Sequence, residues 1–430
     1  MGTPAWAQVE RRASQIEPQE HRAAWLGFGC YFLLLSSYYV LRPLRDSMAA
    51  SYGADSLQYL YSLTFAGTML LAPLFGVLAS RLKITRLLPL VFWFWVVNIL
   101  FFYRWFHVSP HDRTLALTYY TWFSVVNLFM ISVFWSLMTD LFTSAQATRL
   151  FPVIAAGGSL GAVAGAFLTS RTVTHVGNDG LLLIAAAGFV LVIALIHVLM
   201  REKARLRAAH ETTPDTTLDH ALAGGAIEGF RAIAATPILR SQAAFMLLMT
   251  WVNAVVYYLQ TWIVASSFSG DTARTQAFAD INLVVNMASA IVLLFGLGRY
   301  VRRFGITSGL LANPVIMLLG LIGLVLSPSL LMIRALQAAQ AITQYAIARP
   351  CREMCFTAVE QSSRYKAKSV IDTVVYRFGD LSSIWLQTGL RALGAGMSGV
   401  LAFSMSASVA WGVVAMMLGR RYGKMHTSLK

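Results

Sequence analysis

Apolar positions along the chain gather into long blocks separated by short polar or basic clusters. Blocks long enough to cross about 30 Å of hydrocarbon recur twelve times, near 24–43, 57–80, 87–107, 116–142, 149–170, 180–200, 238–266, 275–297, 305–327, 329–348, 369–390 and 394–419. The pattern predicts an all-α membrane protein with twelve transmembrane helices. The longest polar connection, 201–237, opens on Arg201-Glu-Lys-Ala-Arg-Leu-Arg207 and runs through a Thr/Asp/Pro-rich patch to an expected amphipathic surface helix over 219–235. It falls between the sixth and seventh blocks and gives a six-plus-six layout. The expected divisions are an amino-terminal segment 1–22, a six-helix half 23–200, a central loop 201–237, a second half 238–419 and a basic tail 420–430.

Composition agrees with this reading. Apolar residues make up 57% of the 430 positions and charged residues only 12%, about half the charged share of an average soluble domain. The net charge of +15 suggests nucleic acid at first. The basic residues, however, sit at the ends of apolar blocks, where positive charge sets topology. With both termini inside, 25 of the 34 lysines and arginines fall on the inner side, which predicts a multi-pass protein of the bacterial inner membrane with cytoplasmic termini and no nucleic-acid partner. Residues 1–22 are polar and the block that follows has no small-residue cleavage site, so no cleavable signal is expected. Cys351 and Cys355, four apart and without histidines, do not form a zinc pattern. No metal or cofactor is expected.

Polar residues inside apolar blocks are the candidates for function, because a charge at mid-membrane costs about 2.5–3.5 kcal/mol on insertion scales and so faces a partner or a wet cavity. The first block ends Tyr38-Tyr39-Val-Leu-Arg42-Pro43-Leu-Arg45-Asp46, with a proline that frees backbone groups. Its arginines either face an anionic substrate or snorkel to the surface. Arg334 lies several residues inside the tenth block. In the eleventh, Asp372, Tyr376 and Asp380 recur every four residues, with Arg377 three before Asp380, which is spacing for a shared face and an ion pair. That group is either a structural clamp or a gate and proton-coupling pair, a role in which Asp46 and Asp140 join it. The basic stretch Arg349–Lys368, with Arg352, is expected to form the inner loop between the tenth and eleventh blocks. In the fifth block Gly157, Gly158, Gly161 and Gly165 predict close helix packing. No Gly-Lys-Ser/Thr follows them, so a phosphate loop is excluded. No nucleophile lies with a base and an orienting group, so an enzyme is not expected.

Five stretches carry family resemblances. Gly76-Val-Leu-Ala-Ser80-Arg81-Leu-Lys83 and Gly296-Leu-Gly-Arg299-Tyr-Val-Arg302-Arg303-Phe-Gly305 both resemble the Gly/Arg loop of the major facilitator superfamily, with serine at the family's aspartate. That resemblance implies a major-facilitator-like 6+6 bundle with a site at the interface of parallel halves. Pro350-Cys-Arg352-Glu353-Met354-Cys-Phe356, continued by Glu360, Arg364, Lys366, Lys368 and Asp372, resembles the P-T-K-E-M run of the ATP/ADP translocases of plastids and intracellular bacteria. Tyr39–Asp46 is similar to that family's Y-x-x-L-R-D-T-K-D on helix 1, and Arg149-Leu-Phe151-Pro152 to its K-R-F-Y-P.

The resemblance implies a nucleotide-transporter-like branch of the superfamily, with Arg45 and Arg352 at family lysine positions. The family's helix 7 acid and lysine read Val256 and Gln260 here, and the helix 4 acid is missing from Thr121–Ser124. The expected function is therefore secondary antiport or cotransport of an organic anion, such as ATP/ADP, another nucleotide or a different anion, by a monomer in contact with membrane lipids. Arg42, Arg45, Arg334, Arg352 and Arg377 are the expected substrate-binding residues, and Asp46, Asp140, Asp372, Tyr376 and Asp380 the gate or proton partners. A non-transporting sensor of the same fold and a lipid-moving transporter are the alternatives.

Overall fold

A computed structural model describes residues 20–428 except 54–55, 82–83, 143, 210–225, 296, 357–358, 360–366 and 369. All regular elements among the described residues are helical. In chain order they are α1 (His21–Tyr52), α2 (Leu57–Arg81), α3 (Ile84–Val108), α4 (Arg113–Leu141), α5 (Ser144–Ala209), α6 (Ala226–Ala235), α7 (Pro237–Ser267), α8 (Asp271–Phe295) and α9 (Leu297–Leu326). The carboxy-terminal part holds α10 (Leu330–Ala341), a π-helical segment Ile342–Ala348, α11 (Arg349–Phe356), a second π segment Ile371–Val375, α12 (Tyr376–Ala392) and α13 (Gly396–Ser428). Among the described residues, seven helices are long and apolar enough to cross a membrane. The tenth and eleventh expected spans are each divided by a π segment, which leaves α-helices of 12 and 17 residues.

Two long elements each contain a sharp bend at glycine. Gly177 in α5 (φ 73°) and Gly305 in α9 (φ 77°) adopt the left-handed region, which a side chain disfavours. Each bend separates two of the expected spans, which is why α5 covers both the fifth and sixth apolar blocks.

The chain divides into two compact units. One comprises residues 1–53, 66–218 and 264–290, and the other 54–65, 219–263 and 291–430. Most of each unit comes from one half of the sequence, and each also holds one stretch from the other half. In the first unit, α1 packs along α5. A methyl added at Gly157 would meet the Phe28 carbonyl oxygen at 2.5 Å, and additions at Gly161 and Gly165 would strike the carbonyls of Phe32 and Ser36. Backbone therefore lies on backbone, as the small-residue spacing predicts. Its core is closed by Tyr31 stacked on Phe134 at 4.6 Å and by Phe92, Phe102, Phe123 and Phe189, all fully buried. The ends of α1 and α5 are tied by Glu20 with Arg149 at 2.7 Å and Arg22 with Glu202 at 3.3 Å.

The second unit differs from expectation at the end of the tenth span. The tenth span does not stop near Ala348. It continues as a helix to Phe356, past Pro350, and the two elements are joined by the π segment. The Arg349 N–H reaches back to the Gln344 carbonyl, and this wider turn accommodates a proline that has no N–H to donate. The expected amphipathic helix is present as α6, Ala226–Ala235. Residues 1–19, the patch 210–225, and Glu360, Arg364 and Lys366 lie outside the described residues.

Candidate functional site

In the first unit the carboxy-terminal half of α1 gathers Arg42, Arg45 and Asp46. Pro43 sits inside this helix. Arg45 donates to the Asp46 carboxylate from Nε at 2.9 Å and from Nη2 at 2.5 Å, and Arg42 Nε lies 3.9 Å from the same group. The aspartate side chain is 4% exposed, against 15% for Arg45 and 33% for Arg42. Aromatic faces fix the cations: the Arg45 guanidinium lies 5.3 Å from the Tyr120 ring centre and 5.7 Å from that of Phe123. Arg42 donates to the Tyr39 hydroxyl at 3.1 Å. Such cation–π contacts gain strength away from water. Two guanidinium groups thus contact the same buried carboxylate.

The second unit gathers several of its charges into ion pairs. Arg352, buried on α11, contacts Asp372 at 2.9 Å and Glu353 at 3.5 Å, while Lys368 closes on Glu353. The Gln242 side chain donates to the Arg352 carbonyl at 3.0 Å. Arg352 is therefore part of a helical, buried ion cluster, and this corrects its expected place in a loop. Asp372 lies in the second π segment. Arg377 and Asp380 meet at 3.8 Å, as the three-residue spacing predicts, and the Arg377 guanidinium lies 5.8 Å from the Tyr376 ring. Asp372 and Asp380 are thus held by different cations. Arg334 is half-buried on α10, and the side chain of Asp140 lies outside the described residues.

A group missing from the sequence reading lies between α7 and α10. Asn253 donates to Gln344 at 3.2 Å, Gln340 donates to Asn253 at 3.3 Å and also to Gln344, and Gln337 donates to Gln260. Thr343 adds a bond to the Asn313 oxygen at 3.1 Å. The signal was present as glutamines at 337, 340 and 344, spaced three and four apart within an apolar run. Arg391 is also unforeseen. It donates to the Tyr258 hydroxyl at 2.9 Å with its guanidinium over the same ring. A cavity of about 350 Å³ between Leu259, Trp262, Leu324, Met397 and Leu401 is lined mainly by apolar side chains and offers little to an anion.

Comparison with known proteins follows the same lines. No protein-family model matches the chain. It is 28% identical over 127 residues to ADP,ATP carrier protein 1 of Chlamydia pneumoniae, covering 25% of each chain. The namesake in Chlamydia muridarum is 28% identical over 137 residues, covering 27% of this chain and 26% of that one. Chlamydia trachomatis has a third, 29% identical over 124 residues. The chain thus spans about a quarter of the length of the curated relatives it matches. Among solved structures, a bacterial homologue of the human lysosomal transporter Spinster, inward-facing and unoccupied, aligns with a TM-score of 0.56 at 16% identity over 95% of this chain and 97% of that one. The nucleoside transporter NupG aligns with a TM-score of 0.61 at 13% identity over 93% and 99%. In sequence the chain resembles the ADP/ATP carriers over a limited stretch, and in fold it is similar to transporters of the major facilitator type.

Proposed function

We propose that this chain is a secondary transporter of organic anions, with ADP, ATP or a related nucleotide foremost, working by alternating access in the bacterial inner membrane with both termini cytoplasmic. The observation that carries this reading is the pair of arginines, Arg42 and Arg45, both in contact with the buried acid Asp46 and packed against aromatic rings. Low-dielectric walls magnify the field of such cations, and a guanidinium fork suits phosphate or carboxylate oxygens. Arg334 adds a second basic site on α10. The pairs Arg352–Asp372 and Arg377–Asp380 are locally neutral. In this reading they act as gates whose cations are handed to substrate when the acids let go, with Tyr376 beside them and Asp140 as a further proton partner. Names of the sequence relatives and structural neighbours, all of them transporters, support the class. The twelve-span, two-half organisation belongs to the same proposal.

The test is uptake of labelled ADP and other organic anions into proteoliposomes. The Arg45→Ala, Arg334→Ala double variant is expected to lose at least about tenfold in flux, since one charged hydrogen bond contributes about 1.5–3 kcal/mol. An unchanged rate would remove both arginines from the pathway.

A further inference from the structure

The α7–α10 carboxamides are more than packing. An apolar seam between two helices needs no hydrogen bonds, yet this one holds Asn253, Gln260, Gln337, Gln340 and Gln344 bonded to one another. Asn253, Tyr257 and Gln260 are spaced four and three apart on α7, so a phenol ring lies on the same face between two amides. That ring also lies near Tyr61, with centres 6.3 Å apart. Gln344 belongs to the π segment, and such turns inside α-helices are often found at functional sites. Arg334 lies one turn before Gln337 on α10 and brings the charge that the amides lack.

A carboxamide presents one donor and one acceptor side by side, which is the complement of a nucleobase edge such as the N6/N7 edge of adenine. An aromatic side chain supplies a stacking surface for the same flat ring. We propose that the Asn253–Gln340–Gln344 cluster with Tyr257 is the base-recognition subsite of a nucleotide or nucleoside, with Arg334 set toward its phosphate. In the unliganded seam the amides satisfy one another, so exchanging those bonds for bonds to a base strands no buried polar group. The inference rests on the transporter reading and names the part of the substrate that its arginines do not read.

The test compares adenosine, ADP and pyrophosphate binding to the full-length purified protein, in the wild type and in an Asn253→Leu, Gln340→Met variant that keeps side-chain size. The variant is expected to weaken ADP and adenosine binding about tenfold and to leave pyrophosphate within about twofold, inside the usual scatter of such contributions. Tyr257→Leu should act in the same direction, and Gln340→Met alone serves where the double variant yields no folded protein. Equal losses for ADP and pyrophosphate, or no loss for either, would overturn the subsite. Wild-type protein that binds pyrophosphate as tightly as ADP would overturn it while leaving the anion-transport reading standing. If the wild type neither binds nor moves any of the anions, the transporter reading falls first and the subsite with it.

Discussion

The seam between α1 and α5 brings backbone onto backbone at three glycines, a contact not seen at the tight glycines of the second unit among the described residues. In the first unit, glycines at 157, 161 and 165 lie against the backbone carbonyls of Phe28, Phe32 and Ser36. A carbonyl fixed in a helix cannot rotate aside. In the second unit, tight glycines meet side chains instead: Gly309 the Cys351 thiol, Gly320 the Leu336 isobutyl group and Gly379 the Thr250 hydroxyl. Those neighbours have rotamers to choose from, and the amide cluster and π turns lie in the same unit. The difference predicts a stiffer unit around the Arg42–Arg45–Asp46 cluster and a more adaptable unit around the Arg352–Asp372 and Arg377–Asp380 pairs.

The strongest way to break that comparison is to add volume on each side of it. Gly161→Val should cost about 3 kcal/mol or more, at the upper end of overpacking penalties, because neither helix backbone can yield. Gly379→Ala should cost only about 1 kcal/mol, since the Thr250 side chain can turn away. Thermal midpoints of the two detergent-purified variants decide the matter. A Gly379→Ala loss equal to or larger than that of Gly161→Val would reverse the assignment.

A smaller effect sharpens the electrostatic side. Arg352 is 7% exposed and its partner Asp372 32%. Removing one partner of a fully buried pair costs about 3–5 kcal/mol, and the partial exposure of Asp372 lowers the expectation for Arg352→Ala to about 2 kcal/mol. The Arg352→Ala, Asp372→Asn double variant should regain most of that loss, because the stranded charge is gone. A double variant no more stable than Arg352→Ala would show that Arg352 acts through its packing on Phe356 and Met246, not through the pair.

Much of this architecture was legible in the sequence, and the parts that were not share a cause. Long apolar blocks announced the helices, and the Gly157–Gly165 spacing announced close helix packing without its partner, because both are local patterns of sequence. The Arg377–Asp380 pair was legible for the same reason. The Arg352–Asp372 pair spans twenty positions and two elements, and no local period marks it. The basic stretch from Arg349 reads as a loop, yet a π segment just before it leads into a further helix that contains Pro350. The glutamines at 337, 340 and 344 passed unnoticed because a search for charge overlooks neutral amides, although their spacing marked a polar side on an apolar helix. Short-range order is written locally, while pairing across helices emerges only when the chain is folded.

The smallest expected effect lies at a corner of the first unit, outside the apolar spans. Asp112 caps α4, accepting from the Thr114 N–H at 2.8 Å and from the Trp105 indole N–H at 3.0 Å. Those donors, the Thr114 amide foremost, hold its carboxyl below the ordinary carboxylate range. A lowered folded-state value means that the cap's charge contribution is fully present above the unfolded carboxyl value, near pH 4, and is lost as pH falls through the lower folded value. The wild-type thermal midpoint should therefore drop more steeply below about pH 4 than that of Asp112→Asn, which keeps a neutral cap of similar quality. Solvent screening keeps the difference small, and parallel curves would show that the carboxyl's charge adds nothing to the cap. A measurable divergence would show the first unit to be held at this corner by a titratable surface contact, in contrast to the glycine contacts of the α1–α5 seam, where backbone meets backbone and no group titrates.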